Sequence, residues 1–194
     1  MSYEEVRSAI HGLGQHKNIF LMSLGVDFDV AMQALACAKR NRLFTMLNAS
    51  GCHELPDEAY QGLDLLIINR TDCAYLSGIQ PVDDKACERA LRLFADKGVK
   101  DTVILLKERG SATLVDGSYL RVPGYEVDVV DASCGGDTYV GELAARLSEG
   151  GSLAESMVYA SAAAALSLTK VGAQESIPSW SEVQSFVEDH RTRA

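Results

Sequence analysis

A chain of 194 residues, 47% of them hydrophobic and with ordinary Gly and Pro content, is long enough for one domain that buries about 70% of its unfolded surface, and its composition excludes intrinsic disorder. The formal net charge of −9 argues against nucleic acid or an anionic membrane as partner, since either would need a basic face. The cysteines, Cys37, Cys52, Cys73, Cys87 and Cys134, are odd in number and lack a C-x-x-C pairing. Together with a polar, acidic start (Met1-Ser2-Tyr3-Glu4-Glu5) and no apolar run long enough for a bilayer, they point to reduced thiols and a cytoplasmic setting.

In chain order, Ser2-x-x-Glu5 is a capping box that starts a helix ended by Gly12 and Gly14, and a buried strand follows at 19–24. Asp27 or Asp29 caps the next helix, where Ala31, Ala34, Leu35 and Ala38 share a face before Lys39, Arg40 and Arg42 meet the C-terminal dipole. Residues 43–47 read as a strand broken by Asn48-Ala49-Ser50-Gly51, and the apolar run 64–68 is the kind found in a parallel sheet covered on both faces. Pro81 and Asp83 open a helix with Cys87, Ala90, Leu91 and Phe94 at helical spacing, closed by Gly98. Residues 102–106 return to the sheet, and 112–122 alternate around Asp116-Gly117, a hairpin signal.

Tyr125 to Val130 alternates as a strand does, after which Val140, Leu143, Ala144 and Leu147 recur at helical spacing. Gly150-Gly151 stops that helix, Ser152-x-x-Glu155 caps an Ala-rich one through about Thr169, and Ser179-x-x-Glu182 starts a last one with Val183, Phe186 and Val187 inward. Strands alternating with helices predict an α/β layered domain with a largely parallel sheet over 1–194, one domain without linker or repeat.

The chemistry concentrates in Asp131-Ala132-Ser133-Cys134-Gly135-Gly136-Asp137. Gly135 and Gly136 fall at a helix N-terminus, where unpaired N–H groups and the positive dipole end suit a phosphate. Asp137, in the first turn, is placed to take a proton from an attacking hydroxyl. Read without context, the same residues are a Gly-containing turn with an Asp near the cap. Asn69 and Asp72 follow the end of a parallel strand, where α/β sheets place ligands; alone they read as a strand-end Asn cap with a surface Asp. His11, His16, His53 and His190 show no metal-ligand spacing.

These blocks, in this order, resemble the ribokinase-like carbohydrate kinases of the phosphofructokinase-B type. Residues 131–137 are similar to that family's Asp-Thr-x-Gly-Ala-Gly-Asp signature; Asp64 to Asp72 resembles its Asn-x-x-Glu segment, with Asp72 in place of Glu; and Ala160 to Pro178, with Gly172-Ala173-Gln174 and Ser176-Ile177-Pro178, resembles the segment around the adenine and monovalent-cation sites. The likeness runs from about Ile19 to the C-terminus.

The resemblance implies ATP-dependent phosphorylation of a sugar hydroxyl. Asp137 would be the base, and Gly135, Gly136 and Cys134 would belong to the anion hole, although Cys134 replaces a glycine and would be strained at a positive φ by about 1–2 kcal/mol. It further implies Mg²⁺ ordered through Asn69 and Asp72, by way of water since Asp is short, and a monovalent cation (K⁺) near Asp131, Ala132 and Ser176. Lys107 and Gly110 lie where the family has Thr-Leu-Gly-x-x-Gly beside nucleotide; here the residues are Leu105-Leu106-Lys107-Glu108-Arg109-Gly110, so Lys107 either supplies a phosphate charge or is solvated. Gly172 and Ala160 fall in the nucleotide segment, though Ala160–Ala165 reads more readily as tight helix packing. The family's N-terminal strands, lid and sugar-binding turn have no counterpart in 1–18. That predicts weak catalysis by this chain alone, with self-association or a partner covering exposed sheet. The competing expectation is a noncatalytic ribokinase-like scaffold.

Overall fold

The computed structural model describes residues 2–12, 19–52 and 54–191; Gly14, His16 and His53 lie outside them. Two compact units emerge, residues 1–105 with 116–119, and residues 106–115 with 120–194.

The first unit begins with α1 (Tyr3–Gly12). Its capping box forms as expected: Ser2 N donates to Glu5 Oε2 at 2.6 Å and Glu5 N donates to Ser2 Oγ at 3.4 Å. Strands β1 (Ile19–Ser23), β2 (Phe44–Asn48), β3 (Leu65–Asn69) and β4 (Asp101–Leu105) follow, and β2 pairs in parallel with β1 and with β3, and β3 with β4. Between them run α2 (Phe28–Arg40), α3 (Asp57–Gln61), α4 (Arg70–Ser77) and α5 (Asp84–Asp96). The run Leu65–Ile68 is fully buried, as a parallel strand covered on both faces requires. Ala31, Ala34, Leu35 and Ala38 of α2, and Ala90, Leu91 and Phe94 of α5, are buried on the faces that the periodicity assigned. Asp27 and Asp83 are the caps, accepting from Val30 N at 3.1 Å and Ala86 N at 2.7 Å.

Asp64 opens β3 under load. Thr45 N (2.9 Å), Thr45 Oγ1 (2.9 Å) and Lys39 Nζ (3.0 Å) all donate to its carboxylate. Burial acts to raise the carboxyl pKa, but these bonds outweigh it and hold the group below its usual range.

In the second unit a short 3₁₀ turn (Lys107–Arg109) leads into β5 (Ser111–Val115), and β6 (Ser118–Val122) ends there after the turn at Asp116-Gly117, whose φ values of 49° and 76° are those of a tight hairpin. Then come α6 (Gly135–Ser148), α7 (Leu153–Leu168), a second 3₁₀ turn (Gln174–Ser176) and α8 (Trp180–Arg191). Val183 and Val187 of α8 pack on Ala162 and Ala163 of α7, and the Arg146 guanidinium of α6 lies 3.6 Å from the Trp180 ring centre.

One expectation is corrected: Tyr125–Val130 is not a strand. The Tyr125 ring packs against Phe186 and His190 of α8, each 5.0 Å away between ring centres, and the amides of Val130 and Asp131 both donate to Leu168 O at the end of α7, at 2.8 and 3.2 Å. Helical neighbours, not a strand, therefore take up this segment. The short helices α3 and α4 have too few residues to show a period, and the sequence does not reveal them.

Candidate active site

Helix α6 starts at Gly135 with Cys134 as N-cap, and no side chain caps it. Its first intrahelical donor is Thr138 N, which bonds Cys134 O at 2.9 Å. Among the described residues no group accepts from the amides of Gly135, Gly136 and Asp137. These three donors and the positive end of the helix dipole therefore face outward together. Asp137 is exposed, and its carboxylate makes no hydrogen bond or ion pair among the described residues. Asp137 sits outside the apolar packing, as a base that meets an incoming hydroxyl must.

The glycines have distinct reasons. A Cβ on Gly135 would lie 2.8 Å from Leu168 Cδ2 and would have to push that side-chain end aside, whereas a Cβ on Gly136 would meet open space. Cys134 has φ −125°, so the strain foreseen for a side chain there does not arise. The sulfur leaves the helix amides uncapped and reaches the loop after α7: Cys134 Sγ is 2.9 Å from Ser176 Oγ and 3.4 Å from Ala173 O, and it accepts from Thr138 Oγ1 at 3.6 Å.

Asp131 holds the same turn from the other side. Its carboxylate accepts from Ser133 Oγ, from Ser133 N at 2.9 Å and from Gly172 N at 3.0 Å. The Ser133 hydroxyl, then the Gly172 and Ser133 amides, keep its pKa below the ordinary carboxylate value. Thus Asp131, Cys134, Gly172 and Ser176 are brought together, joining the turn before α6 to the loop after α7. Ala132 lies exposed beside them. The links between positions 131 and 172, and 134 and 176, span about forty residues, and no local pattern announces them.

Ser176 is fully buried with its hydroxyl bonded to Ala173 O at 2.8 Å, and both carboxylate oxygens of Asp131 accept from the loop. Among the described residues no three or more His, Cys, Asp and Glu side chains come together as metal ligands would.

The strand-end pair is folded differently. Asn69 is the N-cap of α4, and its Oδ1 accepts from Thr71 N at 2.8 Å and Asp72 N at 3.0 Å. Asp72 is not the surface residue of the bland alternative: it is 2% exposed, and its Oδ1 accepts from Gly51 N at 3.2 Å. The pair therefore sits at the β3–α4 junction, with Asn69 spent on the helix amides and Asp72 buried beneath it.

Of the nucleotide candidates, Lys107 is exposed and holds φ 57°. Gly110 is required by packing, because a Cβ there would fall 2.0 Å from Val122 O, and its amide closes the 3₁₀ turn onto Lys107 O at 2.8 Å. Ala160 is fully buried on α7, which makes it a packing residue as the alanine run suggests. His190 stacks on Phe186 with ring centres 4.2 Å apart, and exposed His11 bonds Arg7 O.

Residues 8–180 match the model of the pfkB family carbohydrate kinases. Ribokinase of Haemophilus influenzae is 32% identical over 168 residues, covering 87% of this chain and 55% of that one. Deoxyribokinase of Salmonella typhi is 26% identical over 189 residues, covering 96% and 61%. Among solved structures, Arabidopsis thaliana ribokinase complexed with ribose and ATP superposes with a TM-score of 0.84 at 25% identity, covering 96% of this chain and 58% of that one. The chain thus spans somewhat over half the length of these relatives. With a family match over most of its length and the backbone of a solved ribokinase, the chain belongs to the pfkB family of carbohydrate kinases and has their ribokinase-like α/β fold.

Proposed function

We propose that this chain carries the phosphate-binding and base-bearing part of an ATP-dependent sugar kinase, with a pentose such as ribose or deoxyribose as the first acceptor to test. The observation that carries the reading is the start of α6: three amides without acceptors and one exposed carboxylate in the same turn, inside the stretch that resembles the family signature. The amides of Gly135, Gly136 and Asp137 hold the transferring γ-phosphoryl group and stabilise charge that grows on its oxygens. Asp137 takes the proton of the attacking hydroxyl as its oxygen bonds the γ-phosphorus and the bond from that phosphorus to the β,γ-bridging oxygen breaks, with ADP as the leaving group. Cys134 is no nucleophile here, because phosphoryl transfer to a hydroxyl needs none.

Mg²⁺, when it arrives with the nucleotide, offsets phosphate charge. Asn69 and Asp72 are assigned to shaping the β3–α4 junction, and Asp131 and Ser176 to holding the loop after α7; no step is routed through them or through K⁺. Lys107 and Gly172 are assigned to the nucleotide side, Lys107 through its charge and Gly172 through its amide bond to Asp131. Gly110 and Ala160 support that side by packing.

The test is Mg²⁺-dependent transfer from ATP to a sugar panel, with Asp137→Ala as control. Turnover that vanishes in Asp137→Ala supports the kinase. A second reading is a noncatalytic nucleotide-binding or interaction scaffold; ATP binding without turnover for any acceptor supports it. A setting in the cytoplasm and assembly with itself or with a partner belong to the same proposal, and size-exclusion chromatography with light scattering checks the assembly.

A further inference from the structure

Cys134, which stands where the family signature has a glycine, makes side-chain contacts that reach forty-two positions along the chain. Cys134 is 8% exposed, and its sulfur sits among polar neighbours of the loop and of the helix. Ser176 Oγ donates to Ala173 O at 2.8 Å. Cys134 Sγ lies 2.9 Å from Ser176 Oγ, where either atom can be the donor, and it reaches Ala173 O at 3.4 Å and Gly172 O at 4.0 Å, while Thr138 Oγ1 donates to the sulfur at 3.6 Å. Thr138, Cys134, Ser176 and Ala173 thus form one connected polar network. Two of its members, Cys134 and Thr138, belong to the start of α6, and the other two to the loop after α7.

We infer that Cys134 is a positioning residue: its thiol locks the 172–176 loop to the N-terminus of α6 and thereby fixes the direction in which the amides of residues 135–137 point. The inference rests on the phosphate-binding role proposed above for those amides. A cap residue with a free acceptor, such as Ser or Asp, ordinarily folds back and accepts from the second or third amide of its helix. Here the sulfur is held at the loop by Ser176, so the cap position leaves the helix amides to a ligand. The Asp131–Gly172 bond at 3.0 Å ties the same loop a second time. Loss of the thiol therefore loosens the connection without unfolding the chain.

Two measurements test this on the full chain. The first is amide hydrogen exchange without nucleotide, in wild type, Cys134→Ala, Ser176→Ala and Cys134→Ser. Exchange in 172–176 is expected to quicken about two- to tenfold in both Ala variants, the loss of one ordinary hydrogen bond, with thermal melting nearly unchanged. The second is affinity for ATP and for AMP: the preference for ATP should fall about two- to tenfold in Cys134→Ala. A hydroxyl at 134 can serve either the loop or the helix amides, so in Cys134→Ser slow exchange in the loop should come with restored ATP preference, and fast exchange with weak preference.

Unchanged exchange in both Ala variants overturns the lock. Quickened exchange with an unchanged ATP preference overturns the positioning role while leaving the lock in place. If wild type binds no ATP, the phosphate reading itself fails, the positioning role falls with it, and the exchange result still decides whether the lock exists.

Discussion

Two helix starts in this chain solve the same problem in opposite ways. At α4 the cap residue Asn69 folds its side chain over the helix and accepts from Thr71 N and Asp72 N, while the acidic residue of the first turn is buried on Gly51 N. At α6 the cap residue Cys134 directs its side chain to the loop after α7, the first three amides have no acceptor among the described residues, and the acidic residue of the first turn is exposed. Helix α4 follows the parallel strand β3 and α6 follows an irregular segment, and both carry an Asp in the first turn. What differs is who satisfies the amides. A helix N-terminus is available to a phosphate only when its own cap leaves it so, and on that criterion α6 is the end open to a phosphate, as the proposed function requires, and α4 is closed to one.

The sharpest way to break this contrast is to remove the two acids. Asp137→Ala should lower phosphoryl transfer by about 10²–10⁴-fold, the range expected for a lost general base, with melting temperature unchanged because the carboxylate has no partner among the described residues. Asp72→Ala should do the reverse: it strips a buried acceptor from Gly51 N, costs about 1–3 kcal/mol of stability in denaturant titration, and leaves ATP affinity at the wild-type value. An Asp137→Ala variant that keeps its turnover removes α6 from the chemistry. Weaker ATP binding in Asp72→Ala would return β3–α4 to the site.

Caps give the next largest effects. Asn69→Ala loses an N-cap and should destabilise by about 1 kcal/mol, again without changing nucleotide affinity. The glycine pair at α6 separates packing from function. Gly135→Ala meets Leu168 Cδ2, the mobile end of a side chain, and should cost about 1 kcal/mol, the low end for overpacking. Gly136→Ala meets nothing and should leave stability unchanged. Any fall in ATP affinity in that variant then reports a ligand approaching the backbone, which isothermal titration measures directly.

How far the sequence reveals this molecule follows from the range of the forces involved. Capping boxes at Ser2, Ser152 and Ser179, the buried faces of α2 and α5, the hairpin at Asp116-Gly117 and the start of α6 are local, so three or four neighbouring residues specify them and the structure contains each. The segment 125–130 alternates like a strand, yet what it pairs with is set by Leu168 and by the aromatic residues of α8, which no window around it contains. The same holds at the site. Asp137 and the two glycines are legible because the helix start is local; the attachment of Cys134 to Ser176 is not, since it depends on where α7 ends. The burial of Asp72 is hidden for a related reason: it comes from the loop after β2, twenty-one positions earlier.

Acidification probes the contrast most gently, through two carboxylates that are not in the proposed chemistry. Asp64 ties β2 to β3 and Asp131 ties the turn before α6 to the loop after α7; both have pKa values below the ordinary one. A carboxyl depressed in the folded state adds stability that is complete above its unfolded value of about 4 and is lost as pH falls through the folded value. Both contributions are thus constant at neutral pH and fade together below about pH 4. The two sites are told apart by their donors. Amide exchange at Thr45 should quicken as Asp64 protonates, and exchange at Gly172 as Asp131 does. In Asp131→Asn the Gly172 amide should exchange quickly at every pH while Thr45 keeps its acid dependence. If Gly172 stays protected in that variant, the thiol of Cys134 and the hydroxyl of Ser176 suffice to hold the loop, and the carboxylate is only its second tie.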